Sequence, residues 1–305
     1  MSGEAQGFAT QIVRDGSLLT GPLRTPRQML SEQEFGGHAS VHDEATAVGL
    51  GLGGAPIEGP THFSQFDPLA VSVWGPLWFE RGGISAHFET MVFEGEEVRA
   101  SMNIENATRA TGELHRATGE RVLVASLTIG DEPTALDARL ARAQSTDAGT
   151  LHLVDCVHVG WRSPAVDVSI VYDELNGDLY PFSLAEKLDA ITERSSWYMP
   201  GTSSPWARPI IPTEMLSVLA YKAGEHPAVR QPTVALFVDL EVRRRLPVFV
   251  GERYTLTREV VCVGQSRRVE SVWTVSKVTN SSGQLVMTML LHEGFFKATH
   301  PDHSA

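Results

Sequence analysis

The stretch Ala55-Pro56-Ile57-Glu58-Gly59-Pro60-Thr61 returns, one residue shorter, as Arg208-Pro209-Ile210-Ile211-Pro212-Thr213, and each copy leads into a long apolar segment. The correspondence continues downstream in the same order. Phe93-Glu94-Gly95-Glu96 matches Phe249-Val250-Gly251-Glu252, and Gly119-Glu120-Arg121-Val122 matches Gly283-Gln284-Leu285-Val286. Ordered landmarks with slowly growing spacing point to an internal duplication whose loops have lengthened.

Between the landmarks, apolar and polar residues alternate with period two, as in half-buried antiparallel strands. Ile84, Ala86, Phe88, Thr90 and Val92 are expected to share one strand face, and Val98, Ala100, Met102 and Ile104 another. Val269, Ser271, Trp273 and Val275 repeat the pattern, and Leu285 to Leu291 suits a central strand. Glu94-Gly95-Glu96, Thr118-Gly119-Glu120, Val250-Gly251-Glu252 and Asn280-Ser281-Ser282-Gly283 predict hairpin turns, so that each half becomes a helix followed by a meander.

The helix starting near Pro60 carries Phe63, Phe66, Leu69, Ala70 and Val73 almost all round, with Pro68 expected to kink or end it. Its counterpart, Pro212 to Ala223, carries Met215, Leu216, Val218, Leu219 and Tyr221. A helix apolar on most sides must be buried, and a curved antiparallel sheet wrapped around it is the simplest cover. The expected fold is therefore α+β, a double hotdog of two antiparallel sheets, each around a central helix. The division falls near residue 150, giving halves 1–150 and 151–305, with Trp161 to Leu179 as connection or cover.

The 305 residues are 42% apolar and 20% charged, with a formal charge of -12. This is the composition of a globular chain, and its charge disfavours a nucleic-acid partner. The one dense basic run, Arg243-Arg244-Arg245, is expected at a solvated sheet edge. Cys156 and Cys262 form no CxxC unit and are expected to be buried free thiols. No run reaches the ~18 apolar residues of a membrane span, and the first residues do not look like a targeting segment. A cytoplasmic enzyme is the expected class, with no membrane partner.

Gly37-His38-Ala39-Ser40-Val41-His42, followed by Pro56-Ile57-Glu58-Gly59, resembles the active-site segments of the MaoC-like R-specific enoyl-CoA hydratases. In that family the first segment reads Asp-x-Asn-Pro-apolar-His and the second Pro-Ile-x-His-Gly. The chain keeps the histidine as His42 and the glycine as Gly59. It has Gly37, Ala39, Ser40 and Glu58 where the family has Asp, Asn, Pro and the second His. The resemblance implies a hydratase or dehydratase, a lyase acting on an enoyl or 3-hydroxyacyl thioester of coenzyme A or a carrier protein. No cofactor is implied, and the assembly is left open between monomer and homodimer.

Adding water to an enoyl thioester requires a base for its proton, an acid for the α carbon and stabilisation of enolate charge. The resemblance gives His42 the water and the Gly59 N–H the thioester carbonyl. Glycine at 37 can neither give nor take a proton, so another carboxylate must serve, with Glu58 the best substitute, or the mechanism uses His42 alone, or the chain is not a hydratase. Glu58 could equally be a helix-entry carboxylate favoured by the dipole. Asp43 is expected chiefly as a helix cap. His38 and His62 are possible supporting residues, but no third ligand is spaced to make a metal site with them. Trp74, Trp78 and Phe79 read as core or tunnel wall. Gly59 and His42 have no equivalents in the second half, so any chemistry belongs to the first. Hydrolysis of a thioester, a lyase or cyclase reaction on another substrate, and non-catalytic binding are the competing readings.

Overall fold

The structure, a computed structural model, describes residues 2–4, 7–35, 38–201 and 204–300. Its strands are β1 (Ser2–Glu4), β2 (Gln11–Asp15), β3 (Leu18–Thr20), β4 (Glu34–Phe35), β5 (His38–Ala39), β6 (Gly82–Phe88), β7 (Val98–Ile104), β8 (Arg109–Arg116), β9 (Arg121–Ile129), β10 (Val166–Val168), β11 (Ala235–Arg244), β12 (Tyr254–Gln265), β13 (Val269–Thr279) and β14 (Leu285–Phe296). Apart from the β4–β5 ribbon, they form one antiparallel sheet in the order β1-β2-β3-β7-β8-β9-β6-β11-β14-β13-β12-β10. The run β3-β7-β8-β9-β6 is mirrored by β10-β12-β13-β14-β11 about a β6–β11 seam, where His87 faces Asp239 and Gly83 faces Arg243. The duplication is thus visible in the sheet, and the double-hotdog expectation is met.

Alternation explains which face each strand buries. In β7, Val98, Ala100 and Met102 are buried while Arg99 and Asn103 are exposed, and β12 alternates along most of its length. The sheet wraps a 3₁₀ turn (Gly59–Phe66) running into α2 (Asp67–Trp74), and its counterpart, the wholly buried helix Met215–Tyr221. Gly112 in β8 lets the first of these approach, because a Cβ there would lie 2.7 Å from the Phe66 ring. Pro68 neither kinks nor ends the helix. It sits in the first turn of α2, where its missing N–H costs nothing, and the preceding segment winds as 3₁₀ instead.

Three further expectations are corrected. Glu94-Gly95-Glu96 and Val250-Gly251-Glu252 turn the chain, but they do not make hairpins. β6 and β7 are separated in the sheet by β8 and β9, and β11 and β12 by β14 and β13, so each half's first strand returns to the seam rather than extending a meander. The Arg243-Arg244-Arg245 run ends the seam strand and is no sheet edge. Arg243 pairs with Glu241 and Asp137, whereas Arg244, 2% exposed, turns inward to donate to Thr213 Oγ1 at 2.5 Å beneath Phe79. Burial pulls the Arg244 pKa down to about 10, with the Asp67 carboxylate opposing. Cys262 is buried, but Cys156 is exposed.

The residues from 161 to 179 include β10, which closes the sheet beside β12. On the outer face, the helix Ala135–Gln144 lays Leu136 on Cys262, Trp273 and Leu290. Among the described residues no helix is long and apolar enough to cross a membrane.

Candidate active site

The segment entering the first buried helix is held on both sides. Ile57 N–H donates to Val92 O at 2.7 Å, and Pro56 bridges Phe93. Upstream, Asp43 caps α1 (Glu44–Gly49) by accepting the Thr46 N–H at 2.8 Å, and these bonds keep its carboxyl below the usual range. That cap fixes the turn carrying His42. The His42 Nδ1 lies 2.7 Å from Pro56 O. A carbonyl oxygen can only accept, so Nδ1 carries the proton and Nε2 keeps its lone pair. Burial lowers the His42 pKa to about 4 against the Pro56 hydrogen bond, so the ring is neutral at physiological pH.

Glu58 occupies the cap position of the 3₁₀ turn, yet its side chain makes no capping bond. It turns instead to accept the Tyr180 hydroxyl at 3.1 Å and is only 8% exposed. Burial raises its pKa to about 7, opposed by Lys187 and the Tyr180 bond and assisted by Glu214. Lys187 does not pair with Glu58, because its ammonium is engaged by Glu214 at 2.8 Å and approaches Thr61 Oγ1 at 3.4 Å. Glu58 is therefore a desolvated carboxyl poised near neutrality, and the helix-cap reading has no hydrogen bond behind it.

Gly59 opens the 3₁₀ turn, where a backbone N–H has no acceptor within the helix. Its lack of a side chain is required, since a Cβ would lie 2.5 Å from the Phe88 ring. One turn further, His62 is 1% exposed, and its Nδ1 has no hydrogen-bond partner among the described residues. Burial, followed by the Lys187 charge, lowers its pKa to about 3.

His42, Glu58, Gly59 and His62 all line one cavity of about 240 Å³, closed on its other side by Tyr180, Tyr221, Phe237 and Glu293 from the second half. Asp43 does not line it and acts as a cap. Of His38 only the backbone, in β5, is described. Gly37 lies outside the described residues. Trp78 and Phe79 are core residues 0% and 1% exposed, and neither they nor Trp74 reach the cavity. Among the described residues no group of three or more His, Cys, Asp or Glu could hold a metal ion.

The sequence reading missed Tyr180, Tyr221 as a polar group, and Glu293. Tyr221 Oη donates to Glu293 Oε1 at 2.6 Å, and burial raises the Glu293 pKa to about 7 against the pull of Tyr221 and Arg258. A signal for Glu293 was present, because it follows Met287, Met289 and Leu291 on the inward parity of β14. Nothing local marked Tyr180, which lies in the loop between β10 and the helix Leu184–Ala190.

No model of a known protein family matches the chain, nor does any curated protein. Solved structures do. A protein described as a MaoC-domain dehydratase from Chloroflexus aurantiacus J-10-fl is 14% identical, with a TM-score of 0.52 over 93% of this chain and 95% of that one. The dehydratase domain of PpsC from Mycobacterium tuberculosis, in complex with C12:1-CoA, is 10% identical, with a TM-score of 0.52 over 93% and 97%. At these identities the likeness is one of fold, and it is the fold of these MaoC-like and PpsC dehydratases over nearly the whole chain.

Proposed function

We propose that this cavity is the active site of a hydro-lyase that adds water to an enoyl thioester, or removes it from a 3-hydroxyacyl thioester, of coenzyme A or a carrier protein. The observation that carries the reading is Glu58, a buried carboxyl with a pKa of about 7 that lines the same cavity as neutral His42 and Gly59. In the hydration direction His42 Nε2 accepts a hydrogen bond from the water, and Glu58 takes its proton as the O–Cβ bond forms. The π electrons move to the α carbon and thioester oxygen, where the Gly59 N–H opposes the growing negative charge. A proton then closes the α C–H bond, and dehydration runs the same steps backwards. The bound C12:1-CoA of the PpsC domain supports a thioester as the substrate class. Residues 1–150 then supply the water-handling groups, and 151–305 complete the pocket.

Mixing the protein with crotonyl-CoA and following enoyl absorbance together with free thiol tests this directly. Loss of enoyl absorbance without thiol release is expected. Thiol release would assign hydrolysis instead, and neither signal across a panel of enoyl thioesters would leave a binding protein.

A further inference from the structure

Three buried carboxylates outside the cavity are well partnered. Glu270 takes the backbone N–H groups of His152, Leu153 and Val154, Glu193 pairs with Arg24, and Glu214 pairs with Lys187. Glu293 differs. It is 5% exposed, lines the cavity, and has one hydrogen bond among the described residues, the one from Tyr221. The nearby Arg258 guanidinium, itself 2% exposed, donates to the carbonyls of Ala220 at 2.9 Å and Glu225 at 3.1 Å rather than to Glu293. A carboxyl on the apolar face of a central strand costs stability, and one held by a phenol, with the Arg258 cation nearby but bonded elsewhere, has been left able to titrate.

The arrangement repeats that of Glu58 with Tyr180. Tyr180 feels the charges of Glu58 and Glu293, and Tyr221 feels the same two, so the four groups share one electrostatic field. We propose that Glu293, oriented by Tyr221, is the acid that delivers the proton to the α carbon, making the second half a chemical partner in the reaction. The assignment rests on the hydro-lyase reading. Water gives one proton to Glu58 and its oxygen to Cβ. The electron pair released at Cα takes the proton of Glu293, leaving its carboxylate, and solvent exchange returns the proton from Glu58 to Glu293. Tyr221 is a positioning residue, and its hydrogen bond holds the Glu293 pKa down.

The groups facing Glu293 are Tyr221, with the His226 ring tilted against it, from the second buried helix and the turn after it, Arg258 from β12, and Glu58 and Tyr180 across the cavity. Since the protonated form is required, wild-type kcat/KM for crotonyl-CoA hydration should fall as pH rises through about 7. Glu293→Gln should lower kcat by ~100-fold or more without lowering the thermal midpoint, and its residual activity should lack that alkaline limb. Tyr221→Phe should move the limb to higher pH. Hydration by wild type that is undiminished in Glu293→Gln overturns the assignment alone. Absence of hydration by wild type overturns the hydro-lyase reading and the assignment with it. Should Glu293→Gln not fold, an unmoved limb in Tyr221→Phe overturns the assignment.

Discussion

Replacing Glu58 by Gln should weaken catalysis and strengthen the fold at the same time. The amide keeps the shape and the acceptor for Tyr180 but cannot ionise. Burial raises the folded-state pKa from 4.5 to about 7, so the contribution of Glu58 to stability is fully present below pH 4.5 and is lost as pH rises through about 7. The difference between 4.5 and about 7 corresponds to ~3 kcal/mol of destabilisation at alkaline pH, an upper bound for a carboxyl so little exposed. Glu58→Gln removes that term. For a chain of this size the gain is on the order of 5 °C in thermal midpoint at pH 8.5, shrinking towards zero at acid pH. Loss of a general acid or base should meanwhile slow crotonyl-CoA hydration by ~100-fold or more. Paired thermal melts at pH 5 and 8.5, with absorbance-followed rates, check both halves. A variant as active as wild type would refute the catalytic role, and one less stable than wild type at pH 8.5 would refute the buried-charge reasoning.

His42→Ala should abolish turnover while leaving the thermal midpoint nearly unchanged, because Pro56 O retains the Gln28 amide at 2.9 Å; urea melts alongside rate measurements separate the two effects. Gly59→Ala should cost ~1–3 kcal/mol in the same melts and raise KM for the thioester, since the Phe88 ring must give way beside the N–H proposed to bind the carbonyl. Arg244→Met removes the donor to Thr213 Oγ1 and the charge that opposes the burial of Asp67, and should destabilise by ~1–3 kcal/mol, while activity per folded molecule survives; denaturation with activity normalised to the folded fraction decides it.

What could be read from the sequence was what periodicity and order encode. Phe63, Phe66 and Leu69 announced a buried helix, and the repeated Pro-Ile element announced its twin. The neighbours of a strand are not a local property, which is why the return of β6 and β11 to the seam was invisible between their own turns. Arg243-Arg244-Arg245 was read by its charge alone, although a strand of period two must send the middle arginine to the opposite face. His42, Glu58, Gly59 and His62 were legible because they cluster near one helix entrance. Glu293 and Tyr180 reach the same space from more than a hundred residues away, and only tertiary packing brings them there.

The seam carries a further implication for how such a molecule can change. β6 and β11 are long strands, and either half standing alone would present one of them as an unpaired backbone edge, a template for indiscriminate association. Covalent linkage holds each edge's intended partner at high effective concentration, so closure does not depend on dilution or on the two surfaces remaining identical. One half can therefore lose a histidine and the other acquire a carboxylate without any substitution having to be made twice, as it would in a symmetric pair of single-hotdog subunits.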